Sequence, residues 1–226
     1  MSSHKKQVTS GSKQSYIFEI IFALIVLIDL WCIAYKPGLR LIVKPLIIAS
    51  LLIYYVNSVR EKQKTILLIA LLFALLGDIF LLFDYPLFFK LGIASFLIMQ
   101  LCYATYFKRF YENNHKLRWL SYAFIVLAMS FNIFFWGKFD DLKIPVAVYS
   151  MAIAYMIYFG VNQKIGVNLA IGVILFGISD FILALDKFVI HHIALSLLVM
   201  STYAVAQYLI VKELISFTSV PIVKNK

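Results

Sequence analysis

Long apolar runs separated by brief polar punctuation dominate the chain. After a polar opening they occupy residues 16–35, 40–57, 65–83, 87–107, 118–136, 144–161, 165–185 and 189–210. Each is close to the ~20 residues that an α-helix needs to cross a hydrocarbon core ~30 Å thick. The first run is too long for the core of a signal peptide and lacks a small-residue cleavage site, so it reads as a retained span. Residues 1–15, with Lys5, Lys6 and Lys13, read as a polar, disordered tail, and residues 211–226 as a second tail. The connections are a few residues long except at 108–117, which forces neighbouring helices to run antiparallel. The expected fold class is an all-α membrane protein: a single domain over 16–210, a bundle of eight transmembrane helices.

Orientation follows from the placement of Lys and Arg. The N-terminal tail, the 58–64 and 108–118 loops, Lys164 and the C-terminal tail carry fourteen of them, against six in the loops of the other side. Basic loops stay cytoplasmic, so both termini are expected there, in the inner membrane if the cell is bacterial.

Laid on itself at an offset of about 100, the chain repeats. Residues 77–84 read GDIFLLFD and residues 179–186 read SDFILALD, each a small residue, an Asp, five apolar residues and a second Asp. The second and sixth runs match as well, KPLIIAS at 44–50 against IPVAVYS at 144–150, aligning Pro45 with Pro145 and Ser50 with Ser150. A four-helix unit used twice, in halves of about 16–107 and 118–210, explains both. An even number of spans per unit makes the two repeats parallel.

Composition supports the membrane assignment: 63% of residues are hydrophobic and 14% charged, whereas a soluble domain is about half apolar and a quarter charged. The net charge of +10 then points to basic loops facing anionic lipid, and no basic-plus-aromatic module for nucleic acid is present. Cys32 and Cys102 sit inside apolar runs and read as small buried hydrophobes.

Against this background the polar residues inside spans stand out. A carboxylate in hydrocarbon costs at least ~2.5–3.5 kcal/mol, so Asp78 and Asp180 call for a reason. Counted along their spans, both lie ~20 Å from the cytoplasmic edge, as symmetry mates at one level. Two carboxylates sharing a dry site do not both ionise cheaply; one keeps a proton as general acid while the other acts as base and orients water. The competing reading makes each Asp a structural polar link between helices. Asp84 and Asp186, six residues further on, read as solvated helix-end carboxylates, and Asp29 is a third carboxylate in the outer half. Lys44 either snorkels to the interface or lends positive charge to a phosphate or a carboxylate. Gln100, Tyr103, Tyr149, Tyr203 and Gln207 are able to hydrogen-bond a head group or one another. His4, His115, His191 and His192 form no i, i+4 pair within a span, which argues against a metal site. No phosphate loop, nucleophile elbow or HExxH motif appears. A small transporter moving protons on intramembrane carboxylates is the rival from another class.

On these residues the chain resembles the YhhN family of membrane proteins, which includes the animal lysoplasmalogenases. The shared pattern is Lys44–Pro45, Gly77–Asp78 with Leu81, Gln100 with Tyr103, Pro145–Val146 with Tyr149, Ser179 to Phe188, and Tyr203 with Gln207. Gln100 departs from it, since many members carry His there, which removes a proton shuttle at that position. The resemblance implies hydrolysis of the vinyl-ether bond of lysoplasmalogens to a fatty aldehyde and glycerophosphoethanolamine or glycerophosphocholine. Asp78 and Asp180 would then be catalytic, with Lys44, Gln100, Tyr103, Tyr149, Ser179, Tyr203 and Gln207 binding a lysophospholipid. Such acid–base chemistry calls for no cofactor and no metal. A member acting on another ether or epoxide lipid fits the same motifs.

Overall fold

Runs that satisfy every backbone N–H and C=O internally are the ones a bilayer accepts, and helices do this within a single segment. The computed structural model describes residues 2–59, 64–113 and 117–219. Within these the runs become α1 (Ser2–Tyr35), α2 (Arg40–Ser58), α3 (Lys64–Phe80), α4 (Pro86–Lys108), α5 (Arg118–Phe135), α6 (Lys143–Val161), α7 (Val167–Phe188) and α8 (Ile193–Ser219). Arg60, Lys62, His115, Lys116, Lys224 and Lys226, used above to weigh orientation and metal binding, lie outside the described residues.

Seven of the helices are long and apolar enough to cross a membrane; α3 has 17 residues and falls just short. Hence the chain is a multi-pass, all-helical membrane protein. Three boundaries differ from expectation. Helix α1 begins at Ser2, so residues placed in a disordered tail continue the first helix. Helix α8 extends to Ser219, because its apolar register persists through Leu214 and Ile215. Helix α3 stops at Phe80 rather than 83, where Leu82 N and Phe83 N turn back to the carbonyls of Ile79 and Phe80 and tighten the chain toward Pro86. That proline opens α4 as its first residue, where a missing N–H costs nothing.

Sequential helices pack as neighbours within 1–4 and within 5–8, and α4 against α6 and α2 against α8 join the two sets. Lipid tails are as apolar as leucine, so close packing rather than water exclusion holds such helices together. Gly77 shows how close: a Cβ there would stand 2.8 Å from the Phe96 ring of α4. Gly172 does the same for α7 and α8, its missing Cβ lying 3.1 Å from the Ala206 carbonyl. The core between the joined helices holds Tyr55, Met99, Tyr103, Met156 and Phe176, while Leu27 and Trp31 of α1 and Met129 and Phe134 of α5 face outward. Polar side chains gather toward the end of the bundle where α2, α4 and α8 begin and α3 and α7 finish.

Candidate active site

Helix α2 starts with Arg40 and Lys44, spaced i, i+4 and so on one face. Lys44 is only 5% exposed, and its Nζ lies 3.5 Å from Oδ1 of Asp78, itself 2% exposed. It does not snorkel to the surface; it is the counter-ion of a buried carboxylate. On the other oxygen, Tyr203 Oη of α8 donates to Asp78 Oδ2 at 2.9 Å. Arg40 Nε donates to Oδ1 of the buried Asp29 at 3.3 Å, which pins α1 to the start of α2.

Asp180 is held differently. Tyr149 Oη of α6 donates to its Oδ2 at 2.5 Å, and Gln100 Nε2 of α4 donates to the same oxygen at 3.2 Å. No cation pairs with it among the described residues. The two aspartates therefore have matching scaffolds and different electrostatics. Asp78 on α3 is bonded from α2 and α8, and Asp180 on α7 from α6 and α4. Only the first of these frames supplies a positive charge.

Both carboxylates line a polar cavity of about 160 Å³, shared with Arg40, Lys44, Ser179 and Tyr203. Asp180 also lines an apolar chamber of about 100 Å³ on its far side, between α4, α5, α6 and α7, walled by Phe124, Phe131, Ile153 and Phe181. Leu81, Phe89, Phe96, Leu183 and Lys187 border both spaces. A charged compartment and an apolar one thus share one carboxyl group, an arrangement that suits a ligand with a polar head and a hydrocarbon tail.

The other expected residues divide. Ser179 borders the polar cavity, with its hydroxyl donating to the Val199 carbonyl at 2.9 Å. Tyr103 and Gln207 bond each other, Oη to Oε1 at 3.0 Å, and line neither space. Asp84 is exposed as expected, but Asp186 is 8% exposed and not a solvated helix end. Its Oδ1 accepts the His192 N–H and its Oδ2 the Ser196 hydroxyl, both at 3.0 Å, because the tight α7–α8 turn brings the residue before α8 and the first turn of that helix over it. Arg40 and Lys187 escaped sequence reading. The i, i+4 spacing of Arg40 with Lys44 was an available signal for one, and the place of Lys187 within the Ser179–Phe188 stretch was one for the other. Among the described residues no three His, Cys, Asp or Glu side chains gather as a metal-binding group.

An apolar helical bundle around a cavity lined by a buried carboxylate paired with lysine and a half-buried one defines a polytopic membrane protein with an intramembrane polar site. The model of the YhhN family matches residues 39–214, and the chain belongs to that family. No curated protein and no solved structure matches it.

Proposed function

We propose that the protein is a lysoplasmalogenase-like hydrolase, cleaving the vinyl-ether bond of a lysophospholipid with Asp180 as general acid and Asp78 as general base. The observation that carries this reading is the position of Asp180, bordering the apolar chamber and the polar cavity at once. A vinyl ether has the same division, hydrocarbon on its β-carbon side and glycerol on its oxygen side. Family membership supports the substrate class, since lysoplasmalogenases belong to it.

The charge pattern assigns the roles. Asp78 has the Lys44 ammonium beside it and serves as the carboxylate; Asp180 has only neutral donors, both on Oδ2, which leaves Oδ1 to carry a proton. Asp180 gives that proton to the β-carbon, and the oxygen lone pair forms an oxocarbenium ion. Water adds to the α-carbon as Asp78 removes one of its protons, producing a hemiacetal. The hemiacetal C–O bond to glycerol then breaks: Asp78 returns its proton to the glycerol oxygen and Asp180 recovers one from the hemiacetal hydroxyl. Aldehyde and alcohol leave, and both aspartates are restored. This division of labour between two carboxyl groups is the one glycosidases use.

Eight spans, with α3 as the shortest, and two parallel four-helix units complete the proposal. The repeated frames around Asp78 and Asp180 favour duplication, because shifting each partner helix by four positions converts one frame into the other. With both termini cytoplasmic, the cavity would face the outer leaflet.

The test is purified protein in detergent with 1-alkenyl-lysophosphoethanolamine in D₂O. Aldehyde should appear with one deuterium on C2. Unlabelled aldehyde would rule out carbon protonation, and its absence with an active assay control would rule out the substrate class.

A further inference from the structure

We propose that Arg40 and Lys187 form a phosphate seat at the mouth of the polar cavity, holding a lysophospholipid's phosphodiester while its ether linkage lies at Asp180. The inference rests on the hydrolase reading for the placement of the ether, and on the following geometry for the seat itself.

Three cations border this cavity: Arg40, Lys44 and Lys187. Lys44 is committed to Asp78. The hydrogen bond of Arg40 to Asp29 uses Nε alone, and no other hydrogen bond engages its guanidinium among the described residues. Lys187 has no ion pair among the described residues; its ammonium stands 4.8 Å from the centroid of the Phe89 ring. Its neighbour Asp186 is turned to the start of α8 and taken up there. Two cations on different helices thus border one cavity, Arg40 with only its Nε engaged by Asp29 and Lys187 with no ion pair among the described residues. The cavity's carboxylates Asp78, Asp180 and Asp186 have partners of their own. A guanidinium fork and an ammonium are the pair that recognises a phosphodiester.

The surroundings identify the phosphate as a lipid's. The apolar chamber for a tail begins at Asp180, and only the three carbons of glycerol separate a sn-1 ether from the phosphate. Beyond the seat, a vestibule of about 430 Å³ shares Leu81, Phe89 and Lys187 with the cavity. Asp84, Asp140 and Asp141 line it together with Lys90, Lys138 and Lys187, so this charge-balanced space offers carboxylates to the amine of a zwitterionic head group just past the phosphate.

The experiment measures binding of an uncleavable saturated ether, 1-alkyl-glycerophosphoethanolamine, against the matching 1-alkylglycerol, so it reads the seat whether or not the protein cuts anything. Lys187→Gln and Arg40→Gln should each weaken the phospholipid about tenfold and leave the alkylglycerol within about twofold. Arg40→Lys and Lys187→Arg should recover most of the loss. Tailless glycerophosphoethanolamine should bind at least about 100-fold more weakly than the lipid. Equal losses on both ligands, or no loss on either, would overturn the seat, and tailless ligand binding as tightly as lipid would overturn its lipid assignment. Lys187 is exposed and in no ion pair among the described residues, so its variant carries the test if Arg40→Gln unfolds.

Discussion

Lys44 of α2 and Asp78 of α3 form an ion pair across 3.5 Å, both nearly sealed from their surroundings. Removing one member of such a pair leaves a buried charge without its counter-ion. Lys44→Met should therefore destabilise the protein by about 3 kcal/mol in a detergent unfolding titration. Adding Asp78→Asn should restore at least about half of that, because the stranded charge is gone. Additive losses in the double variant would show that the pair does not act as a unit.

Tyr149 donates at 2.5 Å to Oδ2 of Asp180, not to the oxygen proposed to carry the proton. It is a positioning residue, and Tyr149→Phe leaves Asp180 with Gln100 as its remaining anchor. Aldehyde release should fall by about 10–10² in kcat with little change in KM. A rise in KM at constant kcat would assign the hydroxyl to substrate binding instead.

How much of this was legible beforehand differs by element. The apolar runs emerged near their positions because a bilayer imposes a length on helices that cross it, and seven of them have that length. Asp78 and Asp180 announced themselves because they sit in two similar stretches, GDIFLLFD and SDFILALD, and hydrocarbon penalises them. What linear counting left open is lateral: Lys44, near the start of its span, suited either the interface or a phosphate or carboxylate partner, and the α2–α3 packing turns it onto Asp78. Asp186 failed for a similar reason, since its environment is made by the turn that brings α8 back over it. Tyr149 and Gln100 read as isolated polar residues because their common acceptor lies 31 and 80 positions away.

Ala184 lines the apolar chamber beside Phe131 and Phe181. Ala184→Phe should fill the space offered to a tail while sparing the polar cavity. Long-chain substrates should lose about tenfold or more in kcat/KM relative to short-chain ones. An unchanged chain-length profile would place the tail elsewhere.

Asp186 caps the start of α8 through two hydrogen bonds at 3.0 Å. Asp186→Ala should lower stability by about 1–2 kcal/mol in a detergent unfolding titration. Asp186→Asn retains an acceptor and should recover part of that. Abolished catalysis in a fully stable Asp186→Asn protein would move this residue from scaffold to chemistry.

The assignment of Asp180 as the proton donor is tested most directly by the rate of aldehyde release from 1-alkenyl-lysophosphoethanolamine by Asp180→Asn, folded as judged by its unfolding midpoint. An amide accepts the Tyr149 hydrogen bond but has no acid proton for carbon. The rate should drop by about 10²–10⁴ from wild type; a rate within about tenfold of wild type would contradict the assignment.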